Sequence, residues 1–144
     1  MTDNEEPPIF VGTMSGTSMD GLDLVAVNFD TDRSIRLLAS QYNSYPQQLK
    51  QDLQTVAVDP SATLTQACEL DSKLGLFYAQ QINRFIDDNR LNREHISAIG
   101  SHGQTLRHNP RPPHPYTLQI GDPNIIAAQT GLTVVADLRR RDLA

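Results

Sequence analysis

Apolar positions cluster in short runs early in the chain and later recur at three- and four-residue steps. Ile9-Phe10-Val11-Gly12-Thr13-Met14 predicts a buried strand, and Leu22 to Phe29 predicts a second with partial alternation. Between them, Ser15-Gly16-Thr17-Ser18-Met19-Asp20-Gly21 is dense in small and turn-forming residues, so the two strands read as a hairpin. After the turn-rich Asp30 to Ser34, a third strand is expected over Ser34 to Tyr45, completing an antiparallel meander.

The period then changes. Pro46 suits the first turn of a helix running towards Val56. A longer helix is expected from Thr63 to Asn89, with Leu64, Ala67, Leu70, Leu74, Phe77, Tyr78, Ile82, Phe85 and Ile86 as one buried stripe. Thr63 and Gln66 have the spacing of a capping box. Gly75 lies beside the stripe and costs about 1 kcal/mol against alanine, so it marks either close packing or a kink. Ile96 to Ser101 reads as a strand and Ser101-His102-Gly103-Gln104-Thr105 as a polar turn. Prolines make Asn109 to Pro115 an extended loop. Tyr116 to Ile120 is a further strand, Gly121-Asp122-Pro123 opens a helix through Gln129, and Gly131 stops it. Leu132 to Asp137 is the last expected strand. The order βββααββαβ indicates a mixed α/β fold.

Residues 1–8 are expected to be a disordered acidic tail and residues 9–144 one compact unit. Twelve Lys and Arg against 17 Asp and Glu give a net charge of −5, which argues against nucleic acid or an anionic membrane as partner. No apolar run approaches the ~18–20 residues needed to span a bilayer. The single cysteine, Cys68, is expected to be a small packing residue of the long helix, and a reducing cytoplasm is the expected location.

Candidate chemistry begins at Ser15 to Asp23. Gly16 and Gly21 are expected to let the backbone adopt positive φ and approach a ligand, and successive amides there can form an anion nest. Ser15, Thr17 and Ser18 add hydroxyls, and Asp20 and Asp23 are placed to hold Mg2+ through water. A nucleotide-phosphate site and an ordinary hairpin loop both fit this pattern. Neither G-x-x-x-x-G-K-[ST] nor G-x-G-x-x-G occurs, and neither Ser15 nor Ser18 is central in G-x-S-x-G. His102, Gln104 and Thr105 follow a strand end, where polar side chains commonly meet a polyhydroxylated ligand; a structural histidine is the competing reading. Gln119 and Asp122 repeat that arrangement, although Asp122 also suits a helix cap. Asp137 closes an apolar strand and calls for a cationic partner such as Arg140 or Arg141. Asp71 and Lys73 are expected on the surface, and His95 and His108 outside any site.

Four blocks together carry a resemblance. Gly12-Thr13-Met14-Ser15-Gly16-Thr17-Ser18-Met19-Asp20-Gly21-Leu22-Asp23 resembles the opening signature of the anhydro-N-acetylmuramic acid kinases. Ser101 to Thr105, Thr117 to Asp122 and Val135 to Asp142 resemble later blocks of that family, in its order, with Leu138 where the family often has Phe.

The resemblance implies the actin-like, ribonuclease H-like fold of sugar kinases, here its N-terminal lobe, with a mixed sheet opening in a β-meander. It implies ATP and Mg2+ as cofactors. It also implies 1,6-anhydro-N-acetylmuramic acid as partner, opened at the anhydro bond and phosphorylated on O6 in peptidoglycan recycling. Gly16, Thr17, Ser18, Met19, Asp20, Gly21, Leu22 and Asp23 would then meet ATP phosphates. His102, Gln104, Gln119 and Asp122 would form the sugar side, Asp137 and Arg140 would support it, and Asp20 would hold the metal through water. The family continues past Ala144 to an Asp-Thr-Gly-Pro-Gly-Asn motif carrying its general base, so these residues alone are expected to be inactive. A kinase for another sugar, a non-catalytic nucleotide- or sugar-binding module, and a homodimer stay open as alternatives.

Overall fold

A computed structural model of the chain describes residues 7–144 apart from Thr31 and Arg33. Most of the expected acidic tail, residues 1–6, and part of the turn before the third strand lie outside the described residues. The meander forms as the alternation requires: β1 (Ile9–Met14), β2 (Gly21–Phe29) and β3 (Ile35–Ser44) pair antiparallel in succession. On β2, Leu22, Leu24, Ala26 and Asn28 are buried while Asp23, Val25 and Phe29 face outward, the two-residue period of a half-covered strand.

Pro46 occupies the N-cap of α1 (Gln47–Val58), one position before the first turn. The long helix α2 (Leu64–Asp88) opens on the Thr63–Gln66 capping box, with both reciprocal bonds present. Its inward stripe is Leu70, Leu74, Tyr78, Ile82, Phe85 and Ile86, each at most 3% exposed. Burying a side chain of this size stabilises the fold by about 1.5–3 kcal/mol. The stripe starts later than the sequence suggested. Leu64 is 80% exposed and Cys68 is exposed as well, both lining an open cleft.

A 3-10 turn at Arg93–His95 leads into β4 (Ile96–Ser101), which lies parallel to β1. The polar turn after it is only His102 and Gly103. Gln104–Asn109 is a strand, β5, where the sequence predicts a turn at Gln104 and Thr105 and loop at Asn109; it pairs antiparallel with β6 (Tyr116–Ile120) in a separate two-stranded sheet. Asp122 caps α3 (Pro123–Thr130), its carboxylate accepting the Asn124 and Ile125 amides, and Gly131 closes that helix at φ +70°. The last strand, β7, shrinks to Val134–Val135, since only these two residues find partners, Ile99 and Gly100 on β4. A 3-10 turn at Arg140–Leu143 follows. The main sheet therefore has the order β3-β2-β1-β4-β7, antiparallel on one side of β1 and parallel on the other. No helix among the described residues is long and apolar enough to cross a membrane.

Candidate active site

Because β1, β4 and β7 run in the same direction, the segments that follow them gather at one edge of the sheet. Those segments are the loop from Ser15, the turn at His102 and the stretch from Ala136. Ligands of open α/β sheets bind at the carboxyl ends of parallel strands, so this edge is the candidate site. The His102 amide donates to the Thr13 carbonyl at 3.2 Å, which ties the β4 exit to the β1 exit.

The loop from Ser15 to Gly21 has a buried side and an exposed side. Ser15 and Met19 are buried, whereas Gly16, Thr17, Ser18 and Asp20 are exposed. Neither Gly16 nor Gly21 supplies the left-handed residue expected of them. Met19 does, at φ +54°, and its side chain, anchored in the core, offsets the strain of that conformation. Gly21 is needed for a different reason: a Cβ there would run into the Asn43 carbonyl oxygen and stand 2.8 Å from the Tyr42 ring on the neighbouring strand. The side chains of Met19 and Leu22 lie in the core, so these two can meet a ligand only through their backbone.

The carbonyls of the loop are held from within. The Met19 amide donates to Gly16 O at 3.2 Å, and the Tyr45 amide to Asp20 O at 2.9 Å. The Ser15 hydroxyl lies 2.8 Å from Gly21 O. Asp20 stands outside, paired with the Lys50 ammonium of α1. That contact, aided by the Ser18 hydroxyl, holds the Asp20 carboxyl below its ordinary range and keeps it ionised at neutral pH.

Beside this loop lies a cleft of about 310 Å³. Its walls come from Ala67, Cys68 and Asp71 of α2, from Ser101 to Gly103, from Leu118 to Gly121, and from Asp137 and Arg140. Four residues singled out from the sequence, His102, Gln119, Asp137 and Arg140, are thus brought together. Gln119 donates to Thr117 Oγ1 at 2.6 Å and Thr105 Oγ1 at 3.0 Å. His102 Nδ1 lies 2.8 Å from the Gly103 carbonyl; since a carbonyl only accepts, Nδ1 carries the proton and Nε2 is the acceptor of the neutral ring.

Gln104 and Asp122 do not line the cleft. Gln104 is fully buried with its amide turned towards the loop, and Asp122 is engaged in capping α3. Asp137 also departs from expectation. It meets Arg140 at 3.4 Å, but both side chains are more than half exposed, so this is a solvated ion pair and not a buried one. The reason is that β7 ends at Val135 and leaves Asp137 beyond the sheet, at φ +58°.

Asp71 was expected on the surface and is instead half-buried against the cleft. Its Oδ1 accepts the Gly121 amide at 2.7 Å. Burial pushes its carboxyl above the ordinary range, opposed by that hydrogen bond and reinforced by Asp122. A signal was available: Asp71, Gly75 and Tyr78 share one helix face at i, i+4 and i+7. Among the described residues no three His, Cys, Asp or Glu side chains converge as a metal site.

The chain is similar to known proteins throughout its length. A sequence model of anhydro-N-acetylmuramic acid kinase matches residues 8–144. An anhydro-N-acetylmuramic acid kinase of Mannheimia succiniciproducens is 43% identical over 135 residues, covering 94% of this chain and 36% of that protein. The one from Pasteurella multocida is 44% identical with the same coverage, and that of Haemophilus influenzae is 42% identical over 141 residues, covering 98% and 36%. This chain therefore spans a little over a third of the length of these relatives. The mixed sheet, with a loop and a cleft at the ends of its parallel strands, suits an actin-like sugar-kinase lobe, and with the match over residues 8–144 it follows that the chain belongs to the anhydro-N-acetylmuramic acid kinase family.

Proposed function

We propose that the protein carrying this chain is an ATP-dependent kinase that opens the anhydro bond of 1,6-anhydro-N-acetylmuramic acid and phosphorylates O6, giving N-acetylmuramic acid 6-phosphate in peptidoglycan recycling. The observation that carries this reading is the gathering, at one sheet edge, of an inward-anchored, hydroxyl-rich loop and a cleft into whose walls His102, Gln119 and Asp71 are set. The carbonyls of Gly16, Asp20 and Gly21 are tied inward, which leaves the exposed turn from Gly16 to Ser18 to offer its amides and hydroxyls to an anion. Residues 16–23 are assigned to the phosphates of ATP, Met19 and Leu22 through backbone alone. His102 and Gln119 are assigned to side-chain contact with the sugar, Asp122 to the turn that it caps, and Asp137 with Arg140 to the outer rim.

Asp20 fits a Mg2+ ion that keeps several waters: it is exposed, ionised, and the one carboxylate on the turn itself. Bound there, the ion would offset charge on the transferring phosphoryl group. In the reaction, water adds to the anomeric carbon as the bond from that carbon to O6 breaks, and O6 then takes the γ-phosphoryl group while ADP leaves. Asp137, exposed and paired with Arg140, is not assigned as the base that accepts the proton of the water.

The test is incubation with ATP, Mg2+ and 1,6-anhydro-N-acetylmuramic acid, following ADP and the phosphorylated sugar together. Equal amounts of both, dependent on the anhydro sugar, are expected. Turnover only with a different sugar would overturn the substrate, and binding without turnover would overturn the kinase in favour of a binding module.

A further inference from the structure

Gln104 is fully buried at the head of β5, two residues past His102 in the cleft wall. Its Oε1 lies 2.6 Å from the Ser15 hydroxyl and 3.3 Å from the Tyr45 hydroxyl, and its Nε2 donates to the Gly16 carbonyl at 3.0 Å. The Tyr45 hydroxyl is 2.6 Å from Ser15 Oγ and 2.9 Å from the Tyr78 hydroxyl. Three hydroxyl protons serve this cluster, and three of its oxygens, Gln104 Oε1 and the Gly16 and Gly21 carbonyls, only accept. With Tyr78 donating to Tyr45, Tyr45 to Ser15 and Ser15 to Gln104 Oε1, the two 2.6 Å contacts and the Tyr45–Tyr78 contact each hold one proton. Burial pushes the pKa of both tyrosines above the ordinary phenol value, so both phenols stay protonated and remain donors.

We infer that Gln104 is a positioning residue for the phosphate loop and not a sugar ligand. It holds Gly16 and Ser15, at the start of the loop, in one geometry from the cleft side. No other described side chain bonds both the Gly16 carbonyl and the Ser15 hydroxyl. This inference rests on the assignment of residues 16–23 to nucleotide phosphates.

The experiment compares Gln104→Met, close in size but without the amide, with Gln104→Glu, which keeps an acceptor for Ser15 and sets a second oxygen against the Gly16 carbonyl. Tyr45→Phe, which leaves Gln104 intact, serves as a further variant if either fails to fold. In the protein carrying this chain, both Gln104 variants are expected to weaken Mg-ATP, read as KM, by about tenfold. KM for the anhydro sugar should change less than about twofold. Tyr45→Phe should act in the same direction with a smaller effect. A raised sugar KM with an unchanged nucleotide KM would make Gln104 a sugar contact and overturn the inference, as would no change in either. Backbone amide shifts of residues 16–21 on addition of a non-hydrolysable ATP analogue with Mg2+ separate the two levels. If those amides do not respond in the unsubstituted protein, the loop assignment fails; if they respond but the Gln104 variants keep full nucleotide affinity, only the role of Gln104 fails.

Discussion

Gly75 of α2 lies directly against the backbone of Asp122: a Cβ built on Gly75 would stand 2.9 Å from the Asp122 carbonyl oxygen and 3.0 Å from its amide nitrogen. The helix runs unbroken from Leu64 to Asp88, so this glycine serves close packing and does not mark a kink. The same stretch of α2 holds the β6–α3 turn at further points, with Asp71 O accepting the Asp122 amide at 3.2 Å and Asp71 Oδ1 accepting the Gly121 amide. Gly75→Ala is expected to destabilise the protein by about 1–3 kcal/mol through overpacking against main chain that cannot swing away. That loss outweighs the helix-propensity gain of about 1 kcal/mol. A urea unfolding curve measures it, and a raised midpoint would contradict the close contact.

Asp71→Asn is expected to stabilise the protein at neutral pH. Burial raises the folded-state pKa of Asp71, so at pH 7 its ionised form is disfavoured by folding, while the substituted amide oxygen can still accept the Gly121 amide. The gain is less than about 1 kcal/mol, because the group is partly open to solvent. Below the unfolded-state value of 3.8 the carboxyl is protonated in both states, and the ionisation part of the difference disappears. Melting temperatures of the two proteins at pH 7 and pH 3 check the sign; a gain that grows on acidification would refute it.

Asp20→Asn separates function from stability. Asp20 and Lys50 are both substantially exposed, and exposed pairs contribute little to folding. The unfolding midpoint should therefore stay unchanged, whereas turnover in the protein carrying this chain should fall about tenfold or more. Unaltered kinetics would remove the proposed role of Asp20 beside the metal and the phosphates.

Thr63→Ala should cost about 1 kcal/mol by removing the hydroxyl that accepts the Gln66 amide at the start of α2, while the Thr63 amide keeps Gln66 Oε1 as its acceptor. Thermal unfolding measures the loss. No change in melting temperature would mean that the first turn of α2 is held by something other than its cap.

The elements that were legible in the sequence are those whose signal is local. The stripe from Leu70 to Ile86 repeats at the helical period, Thr63 and Gln66 cap within one turn, Gly131 closes α3, and alternation marks β2. A family resemblance carried by four short blocks extended that reading to fold and activity. What escaped was non-local. In β5 only Gln104 and Leu106 are buried, and the strand exists because β6 pairs with it. β7 is short because β4 offers it only two partners. Asp71 looks like any surface acid until the β6–α3 turn is packed on it, and Leu64 and Cys68 look buried until the fold leaves an open cleft in front of them. The loop is clearest of all. Ser15 is separated by 30 residues from Tyr45 and by 89 from Gln104, yet all three meet within hydrogen-bonding distance. Propensity and period act over a few residues and so can be read along the chain, whereas the destination of a buried hydroxyl or amide depends on which distant donors and acceptors the closed fold brings within about 3 Å.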